Sequence, residues 1–164
     1  MMPHFPGKVG LVQRVLPDYR APFFDALAEA CGQGLGVFAG NPRPDEMIKT
    51  TDSLENARLF QGKNLHLFQG PLYLCLQRGL LNWLADWNPD ALIVEANPRY
   101  LFTPAAVRWM HRRNRPVIGW GLGAPLSSGS PLAALRQWRR ERFLMQFDSL
   151  ITYSQVGALS LIHI

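Results

Sequence analysis

Five short stretches of this chain set polar side chains, glycine or proline directly after an apolar run. They are Asp18-Tyr19-Arg20, Gly40-Asn41-Pro42-Arg43, Glu95-Ala96-Asn97-Pro98-Arg99, Gly121-Leu122-Gly123 and Tyr153-Ser154. The planar guanidinium forks of Arg20 and Arg99 suit a phosphate or a carboxylate. Glu95 and Asn97 follow the fully apolar Ala91-Leu-Ile-Val94, so a polar pair there must be solvated, hydrogen-bonded or functional. Gly121 and Gly123 carry no side chain and let a substrate approach the backbone closely. Tyr19, Arg20, Glu95, Asn97, Arg99, Gly121 and Gly123 are therefore the candidate substrate-binding residues. The sequence names no catalytic residue among them. Taken singly, each loop is also accounted for by ordinary turn chemistry.

What could bring these loops together is an alternation of strands and helices. Residues 8–16 read as a first strand, rich in Val and Leu and ended by Pro17. Pro22 opens a helix carrying Phe23, Phe24, Leu27 and Ala28 at helical spacing, closed by Gly32 and Gly34. Residues 35–39 form a second strand, and the prolines at 42 and 44 forbid its continuation. Residues 41–63 are polar and yield no assignment. Residues 64–68 read as a third strand. Pro71 is expected to open a long helix to Trp87, with Leu72, Leu76, Leu80 and Trp83 on one face. Residues 91–94 are short and wholly apolar, as in a parallel strand buried on both faces. Thr103-Pro104 predicts a helix start with Thr103 as N-cap, running to about Arg113. Residues 116–120 form another strand, Ser130-Pro131 starts a helix running to about Phe147, and residues 149–153 form the last strand. This order predicts an α/β domain, a Rossmann-like doubly wound parallel sheet with helices on both faces. In such sheets ligands bind outside the carboxyl ends of the strands, where the five loops lie.

Several chemistries are excluded by what is missing. No GxGxxG follows the first strand, and neither a GxxxxGK[ST] phosphate loop nor a GxSxG elbow occurs. His4, His66, His111 and His163 show no metal-ligand spacing, so no metal is expected. His111 is expected to cap helix carbonyls. Cys31 and Cys75, the two cysteines, exclude a disulfide scaffold and are expected in the core.

With 164 residues, 48% hydrophobic and 18% charged, the chain buries one sizeable core and is not disordered. Mean hydropathy is −0.05, and charged residues interrupt every long apolar stretch. With no spanning helix or signal-peptide start to read, the expectation is a cytoplasmic domain. The net charge of +5 is uneven: residues 96–164 hold nine basic side chains, all arginine, against two acidic ones. Such a patch suits phosphates or an anionic membrane surface. No recognised nucleic-acid-binding motif accompanies it, and nucleic acid is not expected as a partner. Arg136, Arg139, Arg140 and Arg142 share one helix with Leu132, Leu135 and Trp138. In the default arrangement for a sheet-flanking helix, the Leu and Trp residues pack on the sheet and the arginines face water. In the competing arrangement, this basic and apolar helix lies peripherally on an anionic bilayer.

The last six residues, Leu159-Ser160-Leu161-Ile162-His163-Ile164, match codon for codon an in-frame reading of a transposon-end sequencing adapter. Residues 159–164 are therefore expected to be non-biological, and residues 1–158 to be the N-terminal part of a longer protein, broken off in a helix begun at Gln155.

Four stretches together resemble the N-terminal domain of GT-B-fold glycosyltransferases of the family-four kind. They are Asp18-Tyr19-Arg20-Ala21-Pro22-Phe23-Phe24, Glu95-Ala96-Asn97-Pro98-Arg99-Tyr100, the tract from Pro116 through Trp120-Gly121-Leu122-Gly123, and the stretch from Phe147 to Ser154. The third resembles a tract that often reads WGHG. Leu122 stands at the histidine position, and no catalytic histidine is carried across. The resemblance implies that residues 1–158 form the acceptor-binding half of a two-domain sugar transferase. The nucleotide-sugar donor would be held by a C-terminal domain with a paired-glutamate motif, not contained in this chain. The acceptor would be a carbohydrate or a lipid-linked one, and the half alone is expected to be inactive. The competing expectation is a non-enzymatic α/β ligand-binding or regulatory domain. A receiver domain needs acidic residues clustered after its first strand, where only Asp18 stands.

Overall fold

The computed structural model describes residues 4–121 and 131–153, with side chains in the last helix from residue 134 onward. Among the described residues eight strands and four α-helices follow one another. They are β1 (Val9–Val15), α1 (Ala21–Glu29), β2 (Leu35–Gly40), β3 (Arg58–Gln61), β4 (Lys63–Leu67) and β5 (Leu74–Arg78), then α2 (Leu80–Trp87), β6 (Ala91–Glu95), α3 (Thr103–His111), β7 (Val117–Gly121), α4 (Pro131–Leu144) and β8 (Ser149–Thr152). Six strands pair in parallel in the order β3-β2-β1-β6-β7-β8. Numbered within the sheet this is 3-2-1-4-5-6, the order of a doubly wound Rossmann sheet. The chain runs outward from β1 in one direction to β3 and from β6 in the other to β8. The adjacent pair β1 and β6 is therefore the topological switch point.

Side chains alternate across the sheet and feed two cores. Val12, Phe38, Leu92, Val94 and Val117 meet α2 and α3 through Leu84, Val107 and Met110. Val9, Leu11, Leu35 and Val37 meet α1 through Phe24 and Ala28 on the other face. Phe24 is fully buried and packs edge-on against Trp120, with ring centroids 6.2 Å apart. Asp25 on α1 accepts hydrogen bonds from the backbone N–H groups of Asn56 at 2.7 Å and Ala57 at 3.0 Å. Those bonds outweigh the burial that opposes its charge and hold its carboxyl below the usual range. Cys31 and Cys75 are free and buried, as expected.

The structure corrects the expected elements in four places. The helix expected from Pro71 to Trp87 is a 3-10 turn at Gly70–Leu72, then β5, then α2. The leucines at 72, 76 and 80 imitate a helical stripe. The real period over 74–78 is two, with Cys75 and Gln77 buried and Leu74 and Leu76 half-buried. Gly79, at φ +88°, then turns the chain into α2, a conformation that favours glycine. Residues 64–68 do form a strand, β4, but it pairs antiparallel with β5 in a separate hairpin outside the main sheet. Within 41–63 lies β3, the edge strand, whose exposed and half-buried residues show no clear alternation. At α3 the N-cap is Phe102; Thr103 is buried inside the first turn and makes no cap. His111, expected to cap helix carbonyls, donates from Nε2 to the Asp148 carboxylate Oδ2 at 3.0 Å.

Candidate functional site

The carboxyl ends of β1, β6 and β7 frame an open cleft of about 630 Å³ beside the switch point. Arg20, Glu95, Asn97, Arg99 and Gly121 all line it. Tyr19 does not line it; the ring is 72% exposed on the rim, with the Arg20 guanidinium 5.8 Å from its centre. Gly123 lies outside the described residues, as do Ser154 and residues 155–164. The Gly40–Arg43 loop is elsewhere. Gly40 and Asn41 line a smaller cavity of about 330 Å³ with Leu16, Thr50 and Gln61. The Asn41 carbonyl is occupied by the Asn64 amide at 2.9 Å and by His66 Nε2 at 3.1 Å.

Each side chain of the cleft is placed by a strand end or the turn that follows it. β1 carries Gln13 and Arg14 near its end, and the 3-10 turn Asp18–Arg20 folds Arg20 back so that its Nη1 donates to Gln13 Oε1 at 2.6 Å. The same guanidinium lies 5.6 Å from the Trp120 ring centre, where the ring face attracts a cation. β6 ends in Glu95, and its Oε2 accepts from the Arg14 backbone N–H at 2.7 Å. Tyr100 and the Arg14 and Arg20 guanidinium groups favour the ionised form of the same carboxyl. Burial dominates all of these and raises the Glu95 carboxyl above the ordinary range. Asn97 holds its own turn through Oδ1, which accepts from the Arg99 N–H at 3.1 Å.

Behind the cleft a polar network fixes β1. Arg14 Nη1 donates to Glu46 Oε2 at 2.8 Å, and that oxygen also accepts the Arg43 N–H at 2.9 Å. The bond to Arg14 is the main reason the Glu46 carboxyl sits low. This pair straps residues 41–50 across the strand end. On the hairpin, His66 Nε2 must donate to the Asn41 carbonyl, so Nδ1 accepts from the Tyr73 hydroxyl at 2.9 Å. Burial raises the Tyr73 phenol to about 12, and the phenol stays protonated.

Three lining residues lie outside the five nominated stretches: Tyr100, Trp120 and Arg140. Trp120 had a signal, since it ends an apolar run beside the nominated Gly121–Gly123 loop, and Tyr153 belongs to a nominated stretch itself. Their rings stand 5.5 Å apart, and Phe23 lies 5.8 Å from Trp120. Tyr100 reaches the site because its segment bridges to Cys75 on β5. Arg140 had no local signal, because only the packing of α4 brings it to the cleft. Among the described residues no group of His, Cys, Asp or Glu is arranged to hold a metal ion. No protein-family model matches the chain, and no curated protein matches it.

The arrangement has a definite chemical character. Three arginines, one carboxyl raised by burial, an amide and two tilted rings line one open wall. Such a wall offers hydrogen-bonding groups, positive charge and ring faces on one side of the cleft.

Proposed function

We propose that this chain is the acceptor-binding half of a sugar transferase, whose whole enzyme moves a glycosyl group from a nucleotide sugar to a carbohydrate or lipid-linked acceptor beside an anionic membrane surface. The observation that carries this reading is the convergence of Arg20, Glu95, Asn97, Trp120 and Gly121 on one cleft at the switch point. The flat indole of Trp120 offers an apolar surface to the C–H face of a sugar ring. Glu95 and Asn97 hold acceptor hydroxyl groups, the carboxyl making the stronger bond when ionised. Arg20 and Arg99 supply positive charge where a diphosphate leaves, so that charge developing in the transition state meets fixed donors. Glu95 also has the means to take a proton from the acceptor hydroxyl, because burial raises its carboxyl and makes the carboxylate a stronger base. The donor belongs to a second domain facing this one, so this chain binds acceptor and turns over no nucleotide sugar by itself.

Gly121 provides the test. Among the described residues a Cβ built there meets nothing nearer than the Ala96 Cβ at 3.4 Å, which leaves room for alanine while the methyl group narrows the cleft. Gly121→Ala should leave unfolding free energy within about 0.5 kcal/mol of the parent. Saccharide affinity, measured by calorimetry, should fall by roughly tenfold or more as an overpacked contact costs about 1–3 kcal/mol. Unchanged saccharide affinity in Gly121→Ala contradicts the reading, as does turnover of a nucleotide sugar by the chain alone.

A further inference from the structure

Helix α4 departs from the usual pattern for a helix beside a sheet. Such a helix turns its apolar residues inward. Here Phe143 and Leu144, near its end, are buried, but Leu135 is 54% and Trp138 55% exposed. This corrects the default expectation that Leu135 and Trp138 pack against the sheet; the Leu132 side chain lies outside the described ones. Met145, just after the helix, is 74% exposed. Leu135, Trp138, Arg142 and Met145 follow one another at spacings of three, four and three residues, which places them in one outward row. Arg136 and Arg139 are exposed beside that row, and Arg142 is exposed within it. The Arg142 guanidinium lies 5.7 Å from the Trp138 ring centre. The single acidic residue of α4, Glu141, is only half-exposed and accepts a hydrogen bond from Gln137 at 2.7 Å. The outward face is thus apolar and cationic with no carboxylate in the row.

We propose that this face of α4 is a membrane-docking surface that lies flat on an anionic lipid bilayer. This locates on one helix the membrane contact included in the proposed function. The occupant is fixed by charge complementarity. Three guanidinium groups around Leu, Trp and Met match a surface that offers both anionic headgroups and acyl chain, and tryptophan favours such a boundary. Among the described residues no helix is long and apolar enough to cross a membrane, so the contact is peripheral. Arg140 of the same helix lines the cleft, so docking α4 brings the acceptor site to the bilayer surface.

The test is co-sedimentation of the whole chain with vesicles of phosphatidylcholine alone and of phosphatidylcholine with phosphatidylglycerol. Each basic residue near an anionic surface contributes about 1 kcal/mol, or roughly fivefold in partitioning. The parent should bind the anionic vesicles, lose that binding as salt rises, and ignore the neutral ones. Arg139→Ala plus Arg142→Ala should weaken binding by about 25-fold, and Trp138→Ala should weaken it at every salt concentration. All three residues are exposed, and unchanged thermal unfolding of the variants confirms that the fold is kept. No anionic-selective binding at low salt, or equal binding of parent and variants, overturns the proposal. So does sedimentation velocity showing that Trp138→Ala splits a dimer, because the face would then serve a second copy. The readout needs no sugar, so failure here leaves the transferase reading standing, and failure of saccharide binding leaves this one standing.

Discussion

Glu95 sits where two demands oppose each other. The end of β6 removes its carboxyl from water, which favours the protonated form, while Arg14, Arg20 and Tyr100 favour the ionised one. Burial prevails, so the folded state raises the Glu95 carboxyl above its value in the unfolded chain, which is about 4.3. Its contribution to stability is then complete below that value and is lost as pH rises through the folded one. Replacing it by glutamine keeps an acceptor for the Arg14 N–H and removes the ionisation. Glu95→Gln should therefore gain Tm relative to the parent as pH is raised from 4 to 8, with little or no gain at pH 4. Thermal unfolding at stepped pH measures this, and a gap that is constant or shrinks with rising pH contradicts it. The same variant should bind saccharide more weakly, by roughly tenfold, having lost a charge-assisted bond. At this scale the sequence was informative wherever a polar residue followed an apolar strand, as at Glu95, Asn97 and Gly121. It was silent on Arg140, whose position depends on how a whole helix packs, and on Arg14, which pairs with Glu46 from the stretch of 41–63 that yielded no assignment.

Among the elements, the clearest lesson comes from residues 71–87. Leucines every four residues predict one helix, yet Gly79 and the burial of Cys75 and Gln77 divide the stretch into β5 and α2. The hairpin partner that rewards the strand reading, β4, is paired from Lys63↔Arg78 to Leu67↔Leu74, and no local pattern reveals which strand it joins. The elements on the sheet's central strands were readable because parallel strands buried on both faces are short apolar runs. Edge strand β3 was not, because it has water on one side. The α2 position makes its own prediction. Trp87 Nε1 donates to the Val9 carbonyl at 2.9 Å, and the indole lies so close over β2 that a Cβ at Gly36 would stand 2.5 Å from its ring. Gly36→Ala should destabilise the fold by about 1–3 kcal/mol in denaturant unfolding, as overpacked cores do. A second change, Trp87→Leu, should make the pair less costly than the sum of the two single changes, because it vacates the space the methyl group needs. Strict additivity would mean that α2 does not rest on β2 at this point.

For the whole molecule, strand order decides where chemistry can occur. The 3-2-1-4-5-6 order reverses direction between β1 and β6, and the loops after those strands part to leave a crevice. The alternation of elements predicted that crevice, and Arg20, Glu95, Asn97, Arg99 and Gly121 line it. Its aromatic wall was less legible, because Trp120, Tyr153 and Phe23 meet only once β7, β8 and α1 are assembled. The central claim is that this crevice receives a saccharide acceptor. Fluorine NMR of the chain labelled with 5-fluorotryptophan tests it most directly, because the five tryptophans give five separate reporters. Trp120 lines the cleft, Trp83 and Trp87 lie in or against the α2 core, Trp109 on α3 packs against the same core, and Trp138 faces outward on α4. Titration with neutral and anionic mono- and disaccharides should move the Trp120 resonance in a saturable way and leave Trp83, Trp87 and Trp109 in place. The Glu95→Gln chain should need roughly tenfold more sugar for the same shift. A Trp120 resonance that stays fixed across the saccharide series, or one that moves equally in the parent and Glu95→Gln chains, would contradict the claim.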